Sequence, residues 1–269
     1  MNSTGGVSPE GPIREESGMP SVLAYHRPES LEEAIELASQ SNTLVIGGGT
    51  KAVPATLKQR GNGVQIVDLQ ALNLVNISFL NQSEKKQITI DSMVRISQLE
   101  EETEIPETLR KLARRELPSA LRNQATIGGT VASANPESVL LAGLLAYATD
   151  VEINGQTWVA LEEIMKTPSS SGIITSIRIT TNEEDAQTSF HSVSRTPMDI
   201  PIVSATALKM KGQDQIRIAI TGVGETPVLI HEKKDLQSLD PKEDFRGTRA
   251  YRLHLASVLY ERVTREVNQ

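Results

Sequence analysis

The chain has 269 residues, enough for one large domain or two ordinary ones, and its 27 Lys+Arg against 34 Asp+Glu give a formal charge of -7, which offers no basic field to recruit nucleic acid. It contains no cysteine, which excludes disulfides, thiolate zinc sites, cysteine nucleophiles and Cys-ligated iron-sulfur clusters within the chain, so any redox chemistry needs an organic cofactor. No apolar run approaches the roughly 18 residues of a membrane span, and the N-terminus lacks the apolar core of a signal peptide; the expectation is a cytoplasmic protein with neither nucleic acid nor membrane as partner.

Residues 1–20 are rich in Ser, Gly, Pro and Glu without apolar periodicity, the composition of a disordered tail. A helix is predicted over "RPESLEEAIELASQSN", with Ser30 as N-cap, Glu33 completing a capping box, and Leu31, Ala34, Ile35 and Ala38 as its apolar stripe. Strands follow at "TLVI", "VQIVDL" and "KQITI", then a helix from about Ile105 to Glu116. Asn135 and Pro136 read as N-cap and first-turn proline of "ESVLLAGLLAYA", a helix apolar on nearly every side and therefore buried. Strands at "VEI" and "GIITSIRI" precede a polar stretch, Thr180 to Gln187, which is the best candidate boundary. Beyond it, an antiparallel pair turns near Gly212 to Asp214 with Ile216, Ile218 and Ile220 on one face. The last helix carries Tyr251, Leu255, Val258, Leu259 and Val263 at helical spacing. The domains expected are 21–182 and 187–269, together an α+β fold.

Two glycine-rich loops stand out, "VIGGGTKAVP" from Val45 to Pro54 and "ATIGGTVASANP" from Ala125 to Pro136. Glycine lets a backbone approach a ligand closely, so that consecutive N–H groups converge on an anion, and a neighbouring threonine adds a hydroxyl donor. Two such loops brought together can grip both halves of a pyrophosphate, although glycine clusters at strand ends are usually turns. Neither loop fits the G-x-G-x-x-G dinucleotide motif or the G-x-x-x-x-G-K-[ST] phosphate loop. Other residues carry bland readings: Trp158 is a hydrophobic side chain beside a strand, and Arg122 and Asn123 anchor the second loop or touch a phosphate or partner. The four histidines, His26, His191, His231 and His254, are far apart and lack metal-ligand spacing, and no G-x-S-x-G elbow marks a hydrolase. No catalytic side chain and no metal site are predicted.

The order of "YHRPESLEEAIELA", "LVIGGGTKAVP", "ITIDSMVRISQLEE", "LRNQATIGGTVASANPES", "GIITSIRI" and "YRLHLASVLYERV" resembles the FAD-binding medium subunits of molybdenum hydroxylases, the family of carbon monoxide dehydrogenase and xanthine dehydrogenase flavoproteins. The likeness runs from about Tyr25 to Val263, and "RNQATIGG" followed by "ANP" and an apolar helix is its most specific element. It implies a PCMH-type, vanillyl-alcohol-oxidase-like FAD-binding domain followed by a small C-terminal domain of sheet plus helices. It also implies FAD as cofactor, with Ile46, Gly47, Gly48, Gly49, Thr50 and Lys51 in one loop and Thr126, Ile127, Gly128, Gly129 and Thr130 in the other as the binding residues. The implied function is electron transfer: electrons pass from iron-sulfur clusters on a small partner subunit, fed by a large molybdopterin subunit, through FAD to NAD or another acceptor.

The chain departs from the family pattern at Lys51, Val139, Ile173 and Ser192, where the resembling subunits have aspartate, aspartate, glutamate and lysine. These departures keep a second reading open, a flavin-free scaffold or assembly subunit with a vestigial FAD site.

Overall fold

The structure is a computed structural model that describes residues 22–54, 63–82, 85–167, 172–181, 186–196, 199–210 and 214–269. The predicted tail, the turn at Gly212 and the middle of the proposed boundary, residues 182–185, lie outside these residues. The chain first forms a parallel sheet in the order β1-β3-β2 from β1 (Val22–His26), β2 (Thr43–Ile46) and β3 (Val64–Asp68). Helix α1 (Leu31–Ala38) covers it, and Ser30 accepts a hydrogen bond from the Glu33 N–H at 3.2 Å. Glu33 reaches back to the Glu29 N–H rather than to that of Ser30, so the capping box is displaced by one residue. Ala34, Val67, Leu69, Met93 and Ile173 form the core of this layer.

The second sheet is antiparallel, in the order β4-β5-β8-β6-β7, from β4 (Ile77–Gln82), β5 (Lys85–Asp91), β6 (Asp150–Ile153), β7 (Thr157–Ala160) and β8 (Ile174–Thr181). Between β5 and β6 run α2 (Ile96–Glu101), α3 (Glu107–Glu116), α4 (Ser119–Arg122), α5 (Ile127–Ser133) and α6 (Val139–Ala146), and α7 (Leu161–Lys166) follows β7. The largest apolar core lies here, with Ile88, Ile90, Leu109, Leu112, Leu141 and Leu144 among its members. Trp158 sits on β7 with the Arg178 guanidinium 4.1 Å from its ring centroid, a cation–π contact beside a strand.

A third sheet, β12-β11-β10-β9, is built from β9 (Ala186–Val193), β10 (Val203–Met210), β11 (Ile216–Thr221) and β12 (Val228–Ile230), and packs on α8 (Arg249–Glu266). Every residue of α6 is buried because it packs on α3 from one side and on β10 and β11 from the other. A helix between two layers needs apolar side chains all round.

Three expectations change. Helix α6 starts at Val139 with Ser138 as its N-cap, the Ser138 hydroxyl accepting from the Leu141 N–H at 3.0 Å. Asn135 instead shapes the preceding turn, its carbonyl accepting from the Ser138 N–H at 3.0 Å. Much of the second glycine stretch is the short helix α5 rather than loop. On α8 the inward face is Arg252, Leu255, Ala256, Leu259 and Val263, while Tyr251 and Val258 are exposed. The displaced face follows from Arg252, whose guanidinium is held inside by the carbonyls of Ile202 and Gly222, at 2.7 and 3.2 Å, and by Asp244 at 2.8 Å. A buried charge with such partners is tolerated where a lone one is not.

Candidate functional site

The first glycine loop leaves the C-terminal end of β2 at the edge of the parallel sheet. Gly48 lies against the second loop so closely that a Cβ there would stand 1.8 Å from the Gln124 carbonyl oxygen and 3.0 Å from the Ala125 Cα. Only glycine permits two backbones to meet at that spacing. Among the described residues, the N–H groups of Gly48, Gly49 and Thr50 donate to no protein acceptor. Unused backbone donors in a segment that lines a cleft are what an anionic ligand requires.

The second loop is built differently. The Ile127 N–H donates to the Val94 carbonyl at 2.9 Å and the Gly128 N–H to the Ser92 carbonyl at 2.8 Å. Ala125 accepts from the Ile96 N–H at 2.9 Å, so the stretch is laced to the segment after β5 from both sides. Thr126 caps α5, its hydroxyl oxygen accepting from the Gly129 N–H at 3.2 Å, and the Thr130 hydroxyl donates to the Thr126 carbonyl at 3.1 Å. A Cβ on Gly128 would meet Ser92 Cβ at 2.6 Å, so this glycine serves close packing.

Nearly all the predicted site residues meet in one place. Ile46 to Lys51, Thr126, Gly129 and Thr130 line a cleft of about 310 Å³. An adjoining recess of about 170 Å³, walled by Leu69, Met93, Val131, Ile164 and Ile173, also receives Gly47, Thr126, Gly128 and Gly129. The side chain of Ile127 faces neither space and is fully buried in the core.

Glu116, at the C-terminal end of α3, also lines the cleft, and sequence reasoning gave it no role. One of its carboxylate oxygens accepts from the Leu140 N–H at 2.9 Å and so covers the N-terminus of α6. Burial pushes the Glu116 carboxyl above its usual range; the Leu140 N–H, the Ser138 hydroxyl and the Lys51 ammonium act against that rise without cancelling it. Val139 is 1% exposed and contributes only to the core, and Ile173 walls the recess. Ser192 accepts from the Arg115 guanidinium at 3.2 Å, and that guanidinium lies over the Phe190 ring. Arg122 is an anchor: it pairs with Glu100 at 2.8 Å and donates to the carbonyls of Arg114 and Leu117.

The segment leaving the second loop is fastened to the third sheet. The Pro136 carbonyl accepts from the Gly222 N–H at 2.8 Å, and Glu137 pairs with Arg246. Arg246 and the buried Arg252 share Asp244. Burial alone would raise the Asp244 carboxyl, but hydrogen bonds from the two guanidiniums outweigh it and hold the group well below the usual carboxylate range.

Comparison with known proteins gives these observations a family. The family described as FAD binding domain in molybdopterin dehydrogenase matches residues 19–181. The chain is 31% identical over 253 residues to the Escherichia coli (strain K12) protein YgfM, covering 88% of this chain and 93% of that protein. It is 25% identical over 283 residues to the glyceraldehyde dehydrogenase medium chain of Sulfolobus acidocaldarius, covering 92% of this chain and 99% of that one. Among solved structures, reconstituted CO dehydrogenase from Oligotropha carboxidovorans superposes with a TM-score of 0.80 at 20% identity, over 93% of this chain and 99% of that one. That likeness shows the fold, a PCMH-type FAD-binding domain followed by a small sheet-plus-helix domain. The matched family spans the chain from β1 through the end of β8, and the protein therefore belongs to the FAD-binding medium subunits of the molybdopterin dehydrogenases, an oxidoreductase component whose cofactor is FAD.

Proposed function

We propose that the chain is the electron-transfer flavoprotein of a cytoplasmic molybdenum hydroxylase, partnered by an iron-sulfur small subunit and a molybdopterin large subunit, with NAD or another oxidant as acceptor. The observation that carries this reading is the cleft itself. Two glycine loops meet backbone to backbone at Gly48 and Gln124, and the N–H groups of Gly48, Gly49 and Thr50 have no acceptor among the described residues. The residues present fit the diphosphate of FAD: backbone donors of the first loop, the Gly129 edge and Thr126 and Thr130 of the second, and Lys51 as a cation. The apolar recess between the first two sheets suits a flat ring end of the dinucleotide. Bound FAD would accept electrons one at a time from iron-sulfur clusters and release them as a pair to an acceptor such as NAD, chemistry that no side chain of a cysteine-free protein offers. The chain's own part is to bind the cofactor, to orient it between two sheets and to keep bulk water from its buried end.

Relatives carry names that fit this reading, including caffeine dehydrogenase subunit beta of Pseudomonas sp. (strain CBB1) and a 6-hydroxypseudooxynicotine dehydrogenase complex subunit. The test is an absorbance spectrum of the purified protein with its copurifying chains identified. A flavin spectrum near one FAD per chain, together with an iron-sulfur and a molybdopterin chain, is expected. Copurifying chains without flavin, even after anaerobic reconstitution, would point to the scaffold reading instead.

A further inference from the structure

The cleft holds one acid that the grip on a diphosphate does not use. Glu116 enters it from the end of α3, with one oxygen fixed on the Leu140 N–H at 2.9 Å. Lys51, at the end of the first glycine loop, lines the same cleft and is the cation that acts on Glu116. Lys51 is exposed and makes no hydrogen bond or salt bridge among the described residues. The other charges nearby are turned elsewhere. Arg115, next on the helix, goes to Ser192 and Phe190, and Glu137, just before the α6 cap, is held by Arg246. The element that packs on Glu116 from the α6 side offers neutral donors, the Leu140 N–H and the Ser138 hydroxyl.

Resting on the FAD reading above, we propose that Glu116 and Lys51 make cofactor affinity proton-linked: an anionic diphosphate entering the cleft draws the Lys51 ammonium to itself and drives a proton onto the Glu116 carboxyl. Two effects act in the same direction. Burial already disfavours the carboxylate. A diphosphate in the same cleft adds negative charge and removes the cation that opposed the rise.

The sign follows from linkage. The Glu116 carboxyl titrates higher with FAD bound than without it, so binding takes up a proton at any pH between the two values. FAD affinity is then highest on the acid side of that window and falls as pH rises through it. One unit of difference corresponds to a tenfold change in dissociation constant. Glu116→Gln removes the charge while its amide oxygen still accepts from Leu140, and so preserves the helix cap.

The experiment measures FAD dissociation constants by flavin fluorescence from about pH 5.5 to 9 for the wild-type chain, Glu116→Gln and Lys51→Gln. Proton uptake by the wild-type chain is measured in parallel by calorimetry in buffers of different ionisation enthalpy. The expected result has four parts: wild-type affinity falls on the order of tenfold with rising pH; Glu116→Gln binds at least as tightly as wild type at pH 8 and shows a flat profile; Lys51→Gln binds several-fold more weakly; and a fraction of a proton up to one is taken up per FAD. FAD binding without proton uptake, or a Glu116→Gln profile as steep as wild type, overturns the linkage while leaving the FAD reading intact. A properly folded Glu116→Gln that binds more than tenfold more weakly at pH 8 also overturns it, because the carboxylate would then be a required contact. Should that variant not fold, the wild-type calorimetry decides alone. A wild-type chain that takes up no FAD at any pH overturns the reading and the linkage together.

Discussion

The two glycine loops look alike in sequence, yet the first leaves three successive backbone donors without an acceptor among the described residues and the second commits most of its own to the fold. In Gly48 to Thr50 the N–H groups have no acceptor among the described residues, and the loop rests on its neighbour through Gly48. In Ile127 and Gly128 the N–H groups are bonded to Val94 and Ser92, Gly129 is capped by Thr126, and Gly128 is glycine because Ser92 lies against it. A glycine doublet can therefore mean a ligand cradle or a packing point, and the difference is where the neighbouring donors go. On the proposed FAD reading, the second loop is the anvil of the site and the first its grip.

Substitutions can break this division of labour. The largest effect is expected from Gly48→Val. Its Cβ would fall 1.8 Å from a backbone oxygen that cannot move aside, so the loops must separate. FAD affinity should drop by two orders of magnitude or more in a fluorescence titration, roughly 3 kcal/mol, while the core melts nearly as before. A Gly48→Val chain that keeps wild-type affinity would show that the loops need not touch. A sharper contrast compares two threonines. Thr126→Ala removes the cap of α5 and should cost about 1 kcal/mol, read as a fall of roughly 2–4 °C in Tm. Thr50→Ala should leave Tm unchanged and weaken FAD several-fold, about 1 kcal/mol, through loss of a hydroxyl that lines the cleft. If the two variants exchanged these signatures, the assignment of scaffold and grip would be reversed.

Much of the fold can be read from local pattern. The capped amphipathic α1, the apolar α6 and the alternation of Ile216, Ile218 and Ile220 each declare their environment in a few residues. β1 and β4 were not read from the sequence. Their residues Leu23, Tyr25 and Leu80 are exposed, so neither strand shows a clear buried face. The start of α6 was misplaced because both Asn135 and Ser138 can cap, and only the turn geometry chooses between them. The two glycine loops stand out in the sequence, and the structure brings them together. Glu116 does not stand out, because a glutamate at the end of a charged helix gives no local sign that α6 will be set against it. Arg252 escaped for the same reason: its partners come from Ile202, Gly222 and Asp244, and no helical periodicity reveals them.

The central claim is that both loops hold one diphosphate, and a comparison of flavins tests it most directly. FAD carries that diphosphate with a second ring end, whereas FMN carries a single phosphate and riboflavin none. Titrating the purified chain with all three should give FAD tighter than FMN by at least roughly a hundredfold, with riboflavin weaker still. FMN or riboflavin binding as tightly as FAD would place the affinity in the flavin ring and contradict the assignment of the two glycine loops.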